Sequence, residues 1–239
     1  MWSICKKELR QFFSNLTGYI AIIVFLLANG LILFVFRDNI LDSGYATLDR
    51  FFALAPWIML LLVPAITMRS FSDEFRSGTF EILQTRPLSS WQVVNGKFYG
   101  SLAVAVIALL PTAVYYFTVN HLASGTGIDA GAAAGSYLGL FLLTAVFIAI
   151  GICMSSFTTN AVVAFIASLI ASALFYYGFT AISQLEVFQG GADYYLAMFG
   201  IDFHYQSLSR GVIDTRDLVY FISLVIFFLL VTRQNLSKR

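Results

Sequence analysis

Charged side chains gather in one polar stretch set between two strongly apolar runs. It is Ser70–Lys97, SFSDEFRSGTFEILQTRPLSSWQVVNGK, in which Asp73, Glu74 and Glu81 stand beside Arg76, Arg86 and Lys97, with Arg69 just before it. The chemistry these residues offer is recognition. Gly78 permits a sharp turn because it lacks a Cβ. Thr79–Thr85 then reads as a short helix with Phe80, Ile82 and Leu83 as its apolar content and Glu81 near its positive N-terminal end. Pro87 stops it. A short helix carried between two apolar runs suits docking in a partner's groove. The plainer alternative is a solvated positive loop that only fixes topology.

Catalytic devices are missing. Gly96-Lys97 is followed by Phe98, and Trp91 occupies the place where a phosphate-binding loop needs glycine, so the chain has no such device for ATP. No H-E-x-x-H is present, and His121 and His204 fall in different connecting loops, which argues against zinc. No Ser/His pairing for hydrolysis is evident. Cys5 and Cys153 read as small core cysteines rather than a disulfide.

The elements around this stretch are membrane spans. Apolar residues make up 59 % of the 239-residue chain and charged residues 11 %, which excludes an ordinary soluble surface. Runs close to the roughly 20 residues that cross a bilayer recur at Thr17–Phe36, Phe51–Met68, Phe98–Val119, Ser136–Met154, Ala161–Ile182 and Asp217–Thr232. Their lack of alternation predicts helices rather than barrel strands. The loops are too short for a soluble core, so residues 1–239 read as one polytopic, all-α domain. Thr17–Phe36 is too long and lacks the small-residue site of a cleavable signal.

The net charge of +1 conceals an asymmetry. Lys6, Lys7 and Arg10 precede the first span, Arg69 to Lys97 follow the second, and Arg233, Lys238 and Arg239 follow the last. The alternate loops carry most of the acids, among them Asp38, Asp42, Asp49, Asp129, Glu186, Asp193, Asp202, Asp214 and Asp217. The positive-inside rule then places both termini and Ser70–Lys97 in the cytoplasm.

Finer features follow from spacing. Met1–Asn15 reads as an amphipathic interfacial helix, with Trp2, Cys5, Leu9, Phe12 and Phe13 on one side and Lys6, Lys7 and Arg10 on the other. Pro56, Pro64 and Pro111 are expected to kink their helices. Ser89 and Gln92 form a capping-box pattern, so the third helix starts near Ser90 and runs about 45 Å to Val119, beyond the roughly 30 Å hydrocarbon core. Gly135 and Gly139 form either a close-packing face or part of a flexible entry to helix four, while Gly131 reads as loop. Ser183–Arg216, rich in Tyr and Phe, is expected to form short helices at the outer interface. The middle of every span lacks ionisable residues, against the habit of ion-coupled transporters.

These residues carry a resemblance to a known family. Glu74-Phe75-Arg76-Ser77-Gly78-Thr79-Phe80-Glu81-Ile82-Leu83, with Pro87 and Gly96-Lys97 after it, resembles the signature of ABC transporter permeases of the type-2 exporter class. Phe203–Leu218, with Arg210-Gly211-Val212-Ile213-Asp214, resembles what precedes their last span. Within the class the chain is most similar to the gliding-motility permeases.

The resemblance implies a non-catalytic, six-span inner-membrane subunit of bacteria that pairs with a second permease or with a larger membrane-anchored subunit carrying an extracytoplasmic domain. Glu74, Arg76, Gly78, Thr79, Phe80, Glu81, Ile82 and Leu83 would form the coupling helix that fits a cleft on a separate ABC ATPase. ATP and Mg would bind that ATPase, this chain would bind no cofactor, and its surroundings would be lipid rather than nucleic acid. Met1–Asn15 would be the elbow helix, and the segment before span six would be re-entrant. A non-transporting scaffold of a motility or secretion machine uses the same loop, and a secondary transporter is the further alternative.

Overall fold

A computed structural model of the protein describes residues 1–36, 39–40, 47–84, 89–123, 127–186 and 191–238, with the side chains of 17 and 82–84 outside that description. The described chain is 84 % helix and has no strand. In order the helices are α1 Trp2–Phe13, α2 Leu16–Phe34, α3 Asp49–Thr67, α4 Ser72–Arg76, α5 Thr79–Gln84, α6 Ser90–Leu109, α7 Ala113–Leu122, α8 Ala130–Phe157, α9 Ala161–Ala173, α10 Phe179–Ser183, α11 Ala192–Ala197, α12 Ile201–Ser209 and α13 Thr215–Ser237.

Among the described residues five continuous helical stretches are long and apolar enough to cross a membrane: Asp49–Arg76, Ser90–Leu122, Ala130–Phe157, Ala161–Ser183 and Thr215–Ser237. The sixth is α2 taken with α1, which meet at a 73° bend. This is a multi-pass membrane protein.

The starts are set by side chains that accept otherwise orphaned amides. Ser89 and Gln92 form the anticipated capping box at α6. Asp129 caps α8, Asn160 caps α9 and Asp214 caps α13. Pro111 falls in a single 3-10 turn, Leu110–Thr112, that joins α6 to α7 within one 33-residue stretch. Pro56 and Pro64, by contrast, leave α3 continuous. Pro56 cannot donate to the Phe52 carbonyl, and the Tyr205 hydroxyl donates to that oxygen instead, at 2.7 Å.

Helix α8 is the central post. Of its most apolar window 78 % is buried, against 22 % for the α9 stretch, so α8 faces protein on nearly all sides and α9 turns most of its surface outward. Leu140, Leu143, Val146, Phe147, Ile148, Ala149, Ile150 and Ile152 are fully buried. Helices α3, α6, α9, α12 and α13 all pack on it. The outer helices keep apolar faces exposed, such as Val162, Ile166 and Ile170 on α9 and Val219, Ile222 and Ile226 on α13. That is the expected partition for a bundle in lipid, where exposed apolar surface carries no penalty.

Gly135 and Gly139 do form a packing face. A Cβ on Gly135 would come within 2.7 Å of the Gly211 carbonyl oxygen, and one on Gly139 within 2.6 Å of Leu208 Cβ. The partner is the end of α12 and the turn after it. Gly211 itself has φ +79°, and any Cβ there would strike the backbone of Ala132. Gly131 touches only its own cap, Asp129.

Gly139→Leu should therefore cost about 1–3 kcal/mol through overpacking, read as a lower unfolding temperature of the purified protein in detergent. Gly131→Ala, at the open end of the same series, should leave that temperature nearly unchanged.

Candidate functional site

The stretch that carries the candidate residues folds into two short helices. α4 continues α3 after a turn at 68–71, and α5 follows Gly78, whose φ of +67° is the left-handed turn anticipated there. Ser155 of α8 holds the first turn. Its Oγ accepts from the amides of Phe71 (3.0 Å) and Ser72 (3.2 Å) and donates to the Met68 carbonyl (3.1 Å). One buried hydroxyl thus ties the start of α4 to the central post.

Beneath α4 lies a group of four charges, three of them buried and the fourth, Lys7, exposed at its edge. Lys97 of α6 has no exposed surface. Its Nζ donates to Glu8 Oε1 of α1 at 2.8 Å, to Glu74 Oε1 of α4 at 2.8 Å and to the Ser70 carbonyl at 2.5 Å. The Phe71 ring closes over it, 4.8 Å from the ring centre. Lys7 of α1 donates to the same Glu74 oxygen at 2.6 Å. Two ammonium groups and two carboxylates make the cluster neutral. Each of the three buried charges, Lys97, Glu8 and Glu74, would be costly to bury alone and is tolerated because its counter-charge is within hydrogen-bond distance.

Close approach of α1 to α6 makes this possible. A Cβ on Gly96 would lie 2.9 Å from Ile4 Cβ, and one on Gly100 would lie 2.7 Å from Glu8 Cβ. Gly96 and Gly100, four apart, form a groove for α1 that places Glu8 against Lys97.

α1 is amphipathic as anticipated, but its inward face differs. Ile4, Cys5 and Glu8 are buried against α6, while Trp2 is 67 % exposed. Leu9, Phe12 and Phe13 are half-buried on the core. The apolar aromatics suggested a face resting on lipid. The face that decides the packing is the narrower one that fits the two glycines.

The individual site residues divide by exposure. Phe80 is buried, edge-on to Phe75 at 4.9 Å and near Phe71 at 6.3 Å. Glu74 is buried and engaged by both lysines. Phe80 and Glu74, both expected in the coupling helix, face inward in this structure, Phe80 into an aromatic cluster and Glu74 into the charge cluster.

Arg76, Gly78, Thr79 and Glu81 are exposed. Arg76 lies 3.9 Å from Asp73, an exposed pair of little energetic weight. Thr79 Oγ1 lies 2.9 Å from Ser77 Oγ. The side chains of Ile82 and Leu83, and Arg86 and Pro87 altogether, lie outside the described residues.

Glu8, Ser155, Gly100 and the pairing of Lys97 escaped the sequence argument. A signal was available: Glu8 is the only acid in an otherwise basic helix, and Gly96 and Gly100 bracket Lys97.

At the far end of α13 a second buried polar contact links α12 to the last span. His204 Nδ1 and Asp217 Oδ1 are 2.7 Å apart, and His204 Nε2 is 2.9 Å from the Met198 carbonyl oxygen. The ring stacks on Tyr220 at 3.9 Å. The short helices anticipated before the last span are α11 and α12.

Residues 2–233 match the family model described as ABC-2 family transporter protein. The chain belongs to the ABC-2 transporter family. No curated protein matches it. As an ABC-2 family member it is the permease subunit of an ABC transporter, a membrane component whose partners are an ABC ATPase and the bilayer. In this ABC-2 permease Gly96-Lys97 has a physical account: the glycine admits α1, and the lysine neutralises Glu8 and Glu74.

Removing one member of the cluster strands the others. Lys97→Met should destabilise the permease by about 3–5 kcal/mol, because two carboxylates lose their buried counter-charge. The triple change Lys97→Met, Glu8→Gln, Glu74→Gln should recover most of that loss. Thermal unfolding of the three proteins in detergent checks both.

Proposed function

We propose that this permease receives the motion of a separate ABC ATPase through α4 and α5 and hands it to the membrane bundle through the Lys97 cluster. The observation that carries the proposal is the four-charge cluster itself. It ties α4 to α1 and α6 at one point, while Ser155 ties the same segment to α8. A push on α5 reaches three long helices without passing through a flexible linker.

In this reading Arg76, Gly78, Thr79, Glu81, Ile82 and Leu83 form the contact with the ATPase. Glu74 and Phe80 back them from inside. ATP and Mg bind the ATPase, and this chain, residues 1–239, acts as one non-catalytic permease domain without a cofactor of its own. α1 is the interfacial elbow, α11 and α12 are the re-entrant element, both termini face the cytoplasm, and the membrane is the bacterial inner membrane. The bundle works beside a second permease or a larger membrane-anchored subunit with an extracytoplasmic domain. The resemblance to gliding-motility permeases supports force transduction in gliding as its role.

Leu83→Asp should abolish co-purification of the ATPase while the permease is inserted at normal levels. Losing one buried apolar side chain is worth about 1.5–3 kcal/mol of docking, and the added charge deepens the loss. Tyr195→Ala, at the opposite end of the bundle, should leave co-purification intact. Full ATPase retention by Leu83→Asp would reduce α4 and α5 to a topology signal.

A further inference from the structure

A cavity of about 90 Å³ lies between α1, the start of α2 and the end of α3. It has room for several waters. Arg69, Ser70, Gln11 and Asn15 supply its polar lining, and Phe12 and Ile66 part of its apolar wall. We propose that this cavity binds the phosphodiester headgroup of an anionic membrane lipid.

Three observations point there. Ser70 lines the cavity, is 3 % exposed, and its Oγ has no hydrogen-bond partner among the described residues. Arg69 is half-buried and forms no ion pair with a described carboxylate. Its planar fork matches two phosphate oxygens. Glu8 also lines the cavity, but Lys97 engages its carboxylate, so the charge left at the cavity wall is that of Arg69.

The surroundings favour a lipid over a soluble anion. Leu16, Tyr19 and Ile20 beside the cavity, and Leu61 on α3, are exposed apolar side chains on the lipid-facing surface of the bundle. A headgroup held at Arg69 leaves its acyl chains along that surface. Basic residues beside an interfacial helix are the usual means of anionic lipid recognition.

The site adjoins the charge cluster. The Ser70 carbonyl accepts from Lys97, so a phosphate held at Arg69 sits beside the residue that anchors the buried lysine. The binding claim does not depend on the coupling role, because it is read on the permease alone.

The experiment uses the full chain in nanodiscs of phosphatidylcholine with increasing phosphatidylglycerol, and counts retained lipids by native mass spectrometry. One phosphatidylglycerol per chain should be retained selectively. Arg69→Gln with Ser70→Ala should weaken that retention roughly tenfold, the loss expected for a charge-assisted contact. Ala65→Leu, which fills the cavity and leaves every charge in place, should weaken it as well. Arg69→Lys should keep part of it. Arg10→Gln, which removes the same charge from the exposed side of α1, should not change it.

Equal losses in Arg10→Gln and Arg69→Gln would show diffuse surface electrostatics and overturn the site. Undiminished retention in Ala65→Leu would overturn it too. Displacement of phosphatidylglycerol by millimolar inorganic phosphate would overturn the lipid assignment in favour of a soluble anion.

Discussion

A lysine ammonium with no exposed surface dictates much of this molecule. Lys97 can be buried only if carboxylates and a carbonyl reach it, and those come from three separate elements: Glu8 on α1, Glu74 on α4 and the Ser70 carbonyl in the turn between α3 and α4. Meeting that demand brings the N-terminal helix across α6 and pins α4 above both. The glycines at 96 and 100 are the steric counterpart, since a side chain at either would hold α1 away and leave the charges apart. Net stabilisation from such a cluster is small, because desolvation offsets attraction. Its effect is on geometry: few arrangements of α1, α4 and α6 satisfy all four charges at once.

The rest of the bundle is arranged so that this point is not isolated. Ser155 connects the α3–α4 turn to α8. Three residues later the helix has ended, and Asn235 of α13 donates to the Ser156 carbonyl at 2.7 Å, closing the same end of the bundle. From there α8 runs to the opposite end, where Gly135 and Gly139 receive the turn at Gly211 and His204 meets Asp217. Displacement at one end has a continuous, close-packed route to the other, and packed interiors of this density transmit strain rather than absorb it.

The helical class, the capping box at Ser89 and the turn at Gly78 were legible because each rests on local rules of spacing or backbone freedom. Other features were not. A hydropathy window sees Lys97 as a boundary charge, since burial of a lysine depends on a carboxylate 89 residues away. A helical-face argument for α1 weights large aromatics, whereas the fit to two glycines selects Ile4, Cys5 and Glu8. The inward placement of Phe80 is illegible for the same reason: an apolar residue in a short polar helix fits a docking face and an internal anchor equally well, and its contacts with Phe71 and Phe75 do not follow from sequence spacing alone. The bond from Tyr205 to the Phe52 carbonyl that Pro56 leaves open is likewise a contact no local rule supplies.

The central claim is that α4 and α5 move as one body with α1 because the Lys97 cluster joins them. Distances between spin labels at Glu81→Cys and Trp2→Cys, both exposed positions, test it most directly in the complex with its ATPase. The account predicts that this distance stays fixed between nucleotide-free and ATP-bound states, while the distance from Glu81→Cys to a label at Val219→Cys on the far part of α13 shifts. With Lys97→Met the first distance should broaden or change on ATP binding. A Glu81–Trp2 distance that changes with nucleotide in the protein with Lys97 intact, as much as the Glu81–Val219 distance does, would contradict it.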